Sequence, residues 1–296
     1  MAIFPGKYIH IGGDEVPKDE WKNSAMAQQL IKANHLKDEN GLQSWFIGRI
    51  DRFLSAHGRN LIGWDEILEG GLSPNATVMS WRGVQGGIAA AKQGHQVIMS
   101  PTDNMYLDYA QSVGGSSEPL TIGGFLPLQA VYNYNPIPAE LTAEQQGLVA
   151  GVQGNMWTEY VATAGKLEYM LFPRVAALAE VGWTRPRNKN YESFINRRLP
   201  AFLNGLEKNG INYRIPEAAL FLGSNGPAGR KVLTLIPAQP GSTIYFTLNG
   251  YQADNTAERY VRPIVLPDTH GRPLTVNYVV VTPGNRVSRN YSLTLK

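Results

Sequence analysis

Cysteine does not occur among the 296 residues, which excludes disulfide frameworks, thiol nucleophiles and cysteine-ligated zinc. Its absence does not fix a compartment. Long apolar runs are missing too: no stretch approaches the roughly 18 residues that a membrane-spanning helix needs. Charge of one sign is scarce. The 27 basic and 24 acidic side chains leave a formal net charge of +3, too small an excess to make a footprint for nucleic acid or an anionic membrane. There is no tandem repeat and no low-complexity segment. Met1 to Lys7 carries no signal-peptide pattern and leads directly into a predicted strand. What remains is a mixed globular composition, 43% apolar and 17% charged, in a chain long enough for a large core and one or two domains.

Five apolar runs recur through the first half: KYIHIGG (7–13), NLIGW (60–64), ATVMSW (76–81), QVIMS (96–100) and VAGVQGNMW (149–157). They are nearly continuous rather than alternating, which suits parallel strands covered on both faces. Helical spacing follows in GLQSWFIGRIDRFLSAHG (41–58) and GGIAAAKQG (86–94), each ending at a glycine, and again over 166–183 and 191–210. Strand and helix in alternation predict an α/β fold with a parallel sheet. From about residue 220 the texture changes to short alternating strands punctuated by Pro, Gly and Asn-Gly turn signals. This predicts a small antiparallel β-sandwich over 220–296, appended to an α/β domain over 1–219.

In parallel α/β sheets the chemistry collects where strands end. The first run ends in Asp14 and Glu15, the second in Trp64, Asp65 and Glu66, and the third in Trp81 and Arg82. The fourth is followed by Tyr106 and Asp108, and the last ends in Trp157, Thr158 and Glu159. Three of six tryptophans therefore sit at strand ends beside acids, and aromatic walls with interspersed carboxylates suit a sugar pocket. Taken singly, a strand-end tryptophan is more often packing; the shared placement argues for a site. Asp65 and Glu66 are read as a helix N-cap and a first-turn acid, and Asp103 as a turn residue. His10, Asp14 and Glu15 are metal-ligating types, but no further histidine or acid stands at a ligand-like spacing. Gly12-Gly13 lacks the rest of a phosphate loop and is read as a tight turn before the acids.

HIGGDE (10–15), GWDEIL (63–68), VMSWRG (78–83), MYLDY (105–109), GVQGNMWTEY (151–160) and FPRVAALAEVGWT (172–184) together resemble the family 20 glycoside hydrolases, the β-N-acetylhexosaminidases. The pieces stand in the family's order and spacing across about residues 5 to 215, and HIGGDE is highly specific; the C-terminal segment resembles the family's small β-domain much more weakly. The resemblance implies retaining hydrolysis of terminal β-linked GlcNAc or GalNAc, in which the substrate's own 2-acetamido group is the nucleophile. Adjacent acids then need not straddle the scissile bond. It further implies that Glu15 is the acid/base and that Asp14 holds the acetamide N–H. Tyr106 would orient the acetamide oxygen. Trp64, Trp81 and Trp157 would wall the sugar, and Asp108 and Glu159 would accept from its hydroxyls. No cofactor and no metal are implied.

In the family, HIGGDE closes the fourth of eight barrel strands. The resemblance thus implies an incomplete (β/α)8 TIM barrel, strands four to eight. No residue here can be assigned to the first-strand arginine that grips the sugar, or to the Asp/His pair associated with the acid/base. A five-stranded remnant leaves open edges, and three readings resolve them: part of a longer enzyme, a short chain that self-associates as a homo-oligomer, or a complementing chain that supplies strands one to three. Association is the one favoured. A rival reading is a sugar-binding remnant without turnover. The long stretch 111–140, rich in Gly, Pro and Tyr, is a candidate for leaving-group contacts.

Overall fold

The apolar runs of the N-terminal half form five strands: β1 (Tyr8–His10), β2 (Asn60–Trp64), β3 (Thr77–Ser80), β4 (Val97–Met99) and β5 (Val149–Val152). The computed structural model describes residues 3–112, 118–224 and 226–295, so residues 113–117 of the 111–140 stretch lie outside the described residues. The five strands make one sheet in the order β1-β2-β3-β4-β5, with every pair parallel. β3 is buried throughout and β2 over Leu61–Trp64, whereas β1 and β5 at the sheet's ends are largely exposed or half-buried. That gradient is why the inner strands read as continuous apolar runs.

Contact compactness divides the chain into two units, Met1–Tyr106 with Tyr134–Asn155, and Leu107–Asn133 with Met156–Lys296. The first holds the parallel sheet. Its longest helix, Glu39–Ala56, starts on Asp38, whose side chain accepts from the Gly41 N–H at 3.0 Å. It buries Leu42, Gln43, Ile47 and Leu54. Two helices that the sequence reading did not anticipate, Asp19–Asn23 and Ala25–Ala33, precede it. Ala27, Ile31 and Leu42 form a core cluster with Trp21, Leu36 and Trp45 packed against it.

In the second unit the helix expected over 166–183 is two, Ala164–Leu171 and Arg174–Trp183. Pro173 between them has no N–H to continue the ladder. The pattern over 191–210 is helical throughout but changes pitch, with a π-type stretch at Phe194–Arg198 before Leu199–Lys208. The C-terminal part carries β6 (Ala219–Gly223), β7 (Val232–Ile236), β8 (Thr243–Thr247), β9 (Glu258–Arg259), β10 (Ile264–Val265), β11 (Leu274–Val281) and β12 (Tyr291–Leu295). They form two antiparallel sheets, β10-β7-β6 and β12-β11-β8-β9. β7 and β8 show the expected alternation of burial, whereas Val276–Val280 of β11 are all buried, which marks a strand covered on both faces. The chain is thus an α/β fold with antiparallel sheets following it. Among the described residues no helix is long and apolar enough to cross a membrane.

Candidate active site

β1 delivers its acids through a backbone turn that side chains resist. Gly12 and Gly13 have φ of +75° and +98°, and Glu15 itself sits at +48°. A Cβ on Gly13 would stand 2.7 Å from Ile67 Cγ2, so conformation and space both require glycine there. Three contacts fix the turn. The Trp64 N–H donates to the Gly12 carbonyl at 3.0 Å, Gln43 Nε2 donates to the Gly13 carbonyl at 3.0 Å, and the Glu15 N–H donates to Glu66 Oε1 at 3.4 Å. The side chains of Asp14 and Glu15 are left exposed. His10 places its ring edge-on against Trp64, with centroids 4.9 Å apart, and its Nδ1 accepts from the Gly12 N–H. Although His10 is exposed overall, partial desolvation of the ring, which packs against Trp64, holds its pKa below the ordinary value, against the opposing pull of Asp14.

Trp64 ends β2 and is buried with Ile62 and Met79, with Trp81 packed against them. Trp81 follows β3, and its ring lies near-parallel to Tyr106 at 6.2 Å between centroids. Tyr106 is buried and bridges to Asn155. Glu15, Glu66, Trp81, Arg82, Lys18 and Glu69 line a shallow opening of about 390 Å³. Asp14, Glu15, Trp64, Trp81 and Tyr106 are therefore all on the first unit, linked through these contacts.

Asp108, Trp157 and Glu159 are on the second unit. Asp108 is 4% exposed, and neither carboxylate oxygen has a hydrogen-bond partner among the described residues. Burial pushes its carboxyl up to about 6, with Arg174 pulling down and Glu159 adding to the rise. Trp157 lines a small crevice with Asp108 and is 40% exposed, and Glu159 is exposed. The crevice that Asp108 and Trp157 share has a volume of only about 10 Å³, room for a water rather than a sugar ring. Arg174, fully buried, donates to the carbonyls of Leu107 and Met170 at 2.6 and 2.7 Å and to those of Tyr109 and Leu126 at 3.0 Å. It thereby fixes the segment that carries Asp108. The sequence offered it only as part of FPRVAAL, with no sign that its partners were carbonyls.

The N-cap reading of Asp65 is corrected, whereas Glu66 is the first-turn acid expected. Both are buried first-turn residues of a 3-10 turn, Asp65–Leu68, whose N-cap is Trp64. Asp65 instead accepts from the N–H groups of Trp81 and Arg82 at 3.0 and 3.1 Å and from Arg82 Nε at 2.6 Å. Gly86 makes room for it: a Cβ there would lie 2.6 Å from Asp65 Cβ. Glu66 Oε2 accepts from Trp81 Nε1 at 2.9 Å. Burial raises the Glu66 pKa, against the hydrogen bond from Trp81 and the charge of Arg82. Asp103, read as a turn residue, lies in a single helical turn, Thr102–Met105. Among the described residues no three His, Asp or Glu side chains are grouped to hold a metal ion.

Comparison with known proteins points one way. The chain is 45% identical over 271 residues to a beta-hexosaminidase of Porphyromonas gingivalis, a match covering 90% of this chain and 34% of that protein. A beta-hexosaminidase of Vibrio furnissii is 32% identical over 185 residues, covering 61% and 30% respectively. The chain thus spans about a third of the length of these curated relatives. Among solved structures, the GH20 exo beta-N-acetylglucosaminidase of Vibrio harveyi in complex with N-acetylglucosamine aligns with TM-score 0.65 and 32% identity. That alignment covers 72% of this chain and 34% of that one. The beta-N-acetylhexosaminidase of Bacteroides fragilis aligns with TM-score 0.62 and 26% identity over 72% and 43%. Residues 1–186 match the family described as glycosyl hydrolase family 20, catalytic domain, and the chain belongs to that family.

Proposed function

We propose that this chain is a β-N-acetylhexosaminidase acting on terminal β-linked GlcNAc or GalNAc, with the substrate's 2-acetamido group as nucleophile. The observation that carries the reading is the exposed Asp14–Glu15 pair, delivered by a Gly-Gly turn whose Gly12 carbonyl accepts from the Trp64 N–H, with Glu15 and Trp81 lining one opening and Trp81 stacked on Tyr106. Two adjacent acids cannot flank a glycosidic bond, so they suit a reaction in which only one of them handles the leaving-group proton. Glu15 gives its proton to the glycosidic oxygen as the C1–O bond breaks and the acetamide oxygen bonds to C1. Asp14 accepts the acetamide N–H and offsets the positive charge that grows there. Tyr106 directs the acetamide oxygen, and positioning makes a weak amide nucleophile effective. In the second step water adds to C1, Glu15 takes its proton, and the bond to the acetamide oxygen opens with net retention. Trp64, Trp81 and Trp157 wall the sugar, and Asp108 and Glu159 accept from its hydroxyls.

The architecture proposed with this function is an incomplete (β/α)8 barrel, strands four to eight, over 1–219, and a β-sandwich over 220–296. Sequential parallel order with β1 and β5 ending the sheet supports the first, and the two antiparallel sheets support the second. The end strands, together with Phe46 and Phe53 exposed on the helix Glu39–Ala56, support association with a second copy or a complementing chain. The function is tested by comparing an aryl β-N-acetylglucosaminide with the aryl β-glucoside, which has a hydroxyl at C2. Turnover of the first alone, with a β-configured first product, is expected. Equal turnover of both would refute the acetamide's part.

A further inference from the structure

Glu66 is placed unlike an ordinary first-turn acid. Its side chain is buried, and its two oxygens face two groups far apart in the chain. Oε2 accepts from the indole Nε1–H of Trp81 at 2.9 Å, and Oε1 accepts from the backbone N–H of Glu15 at 3.4 Å. Arg82 Nε stands 3.7 Å from the same Oε1. The first partner is a ring stacked on Tyr106; the second is the backbone of a residue held at a φ of +48°. A residue other than glycine persists in that region only where its surroundings over-determine it, and the Glu66 carboxylate is one of the groups that do so. Burying a carboxylate is costly unless hydrogen bonds satisfy it, so an acid kept here needs the partners it has.

Resting on the function proposed above, we propose that Glu66 is a positioning residue for the reaction. One carboxylate ties the acid/base Glu15 to the acetamide wall Trp81, and so sets the spacing between the proton donor and the amide nucleophile. Glu66 does not touch substrate in this account. Asp65 beside it acts on the Trp81–Arg82 backbone, whereas Glu66 acts on the indole, so the two neighbours fix the main chain and the ring separately. Loss of Glu66 removes the hydrogen bond that fixes the ring's orientation, leaving packing and the stack on Tyr106 to hold it, and takes the acceptor from the Glu15 N–H. A displacement on the order of 1 Å at such a site costs about a hundredfold in rate.

Two variants and two readouts test this. Glu66→Ala removes both acceptors. Glu66→Gln keeps one carbonyl oxygen, enough for one of the two N–H groups. Both are compared with the unsubstituted chain on aryl β-glycosides of N-acetyl- and N-propionyl-glucosamine, after circular dichroism shows that they fold. The expected result is a kcat on the N-acetyl substrate lowered by about 10 to 100-fold in Glu66→Ala. The preference for acetyl over propionyl should shrink in step, and Glu66→Gln should lie between. The second readout needs no turnover. In the 15N-labelled chain the Trp81 indole N–H resonance, assigned by its loss in Trp81→Phe, should move upfield in both variants. The shift that N-acetylglucosamine induces in it should then need more sugar. An unmoved indole resonance, or equal loss on both substrates with the acyl preference intact, would overturn the positioning role. If the unsubstituted chain turns over neither substrate, the proposed function fails and so does Glu66 as a positioning residue for that reaction. A Glu66-dependent indole resonance would then establish the contact alone.

Discussion

In the proposed reaction Asp14 and Glu15 divide one job between two neighbouring carboxylates, and the two are separable by leaving group. Glu15→Gln should abolish turnover of alkyl glycosides and spare in part aryl glycosides with acidic phenols, which leave without a proton. Asp14→Asn should damage both classes, because charge grows on the amide whatever leaves; equal loss on both in Glu15→Gln would remove its assigned role. Asp108 tests burial rather than catalysis. Its carboxyl rises from 3.8 to about 6 in the folded chain, so the folded state binds its proton more tightly than the unfolded state does. Protonated Asp108 therefore stabilises the fold fully below the unfolded value, and that contribution is lost as pH rises through about 6. Asp108→Asn should match the parent in urea unfolding near pH 4 and exceed it above about pH 7, by up to about 3 kcal/mol. A difference that does not grow with pH would contradict the assignment. At this scale the positions of Asp14, Glu15, Trp64 and Trp81 are legible because each lies at or just past its strand end, whereas Asp108 and Glu159 stand further along the loops after theirs. Glu66 was not legible, since its partners are 15 and 51 residues away and a first-turn acid explains the same letters.

The element scale turns on how closely β2, β3 and the helix Gln85–Lys92 approach one another. Gly86 stands in the first turn of that helix, where alanine would add about 0.5–1 kcal/mol by propensity alone. Packing opposes it, since the new Cβ would meet Asp65 Cβ at 2.6 Å and its carboxyl at 2.9 Å. Overpacking costs about 1–3 kcal/mol, so Gly86→Ala should lower the urea midpoint; a raised midpoint would show that Asp65 can yield. The inner strands β2, β3 and β4 were readable because burial on both faces leaves an unbroken apolar signature, and β1 and β5 were readable from their apolar letters although they are little buried. The helix break at Pro173 was a signal available in the sequence but outweighed by the apolar spacing on either side of it. The helices Asp19–Asn23 and Ala25–Ala33 are hard to read because only Ala27 and Ile31 are fully buried, Trp21 and Leu30 being partly so, and all lie among polar residues.

For the whole molecule, the sequence showed an α/β part and a β part, but not how contacts would group them. The segment Leu107–Asn133 belongs with the C-terminal unit, while Tyr134–Asn155 returns to the first. Such grouping is set by long-range packing and leaves no local pattern. The exposed end strand β1, and the exposed Phe46 and Phe53 on the helix Glu39–Ala56, are the features on which the proposed association rests. The most direct test separates the purified chain by size exclusion with light scattering and assays each fraction on an alkyl β-N-acetylglucosaminide, whose leaving group needs a proton, with Glu15→Gln run in parallel. Turnover confined to a defined species and lost in Glu15→Gln is the predicted result. A well-folded species of any size that is inactive, or whose activity survives Glu15→Gln, would contradict the account.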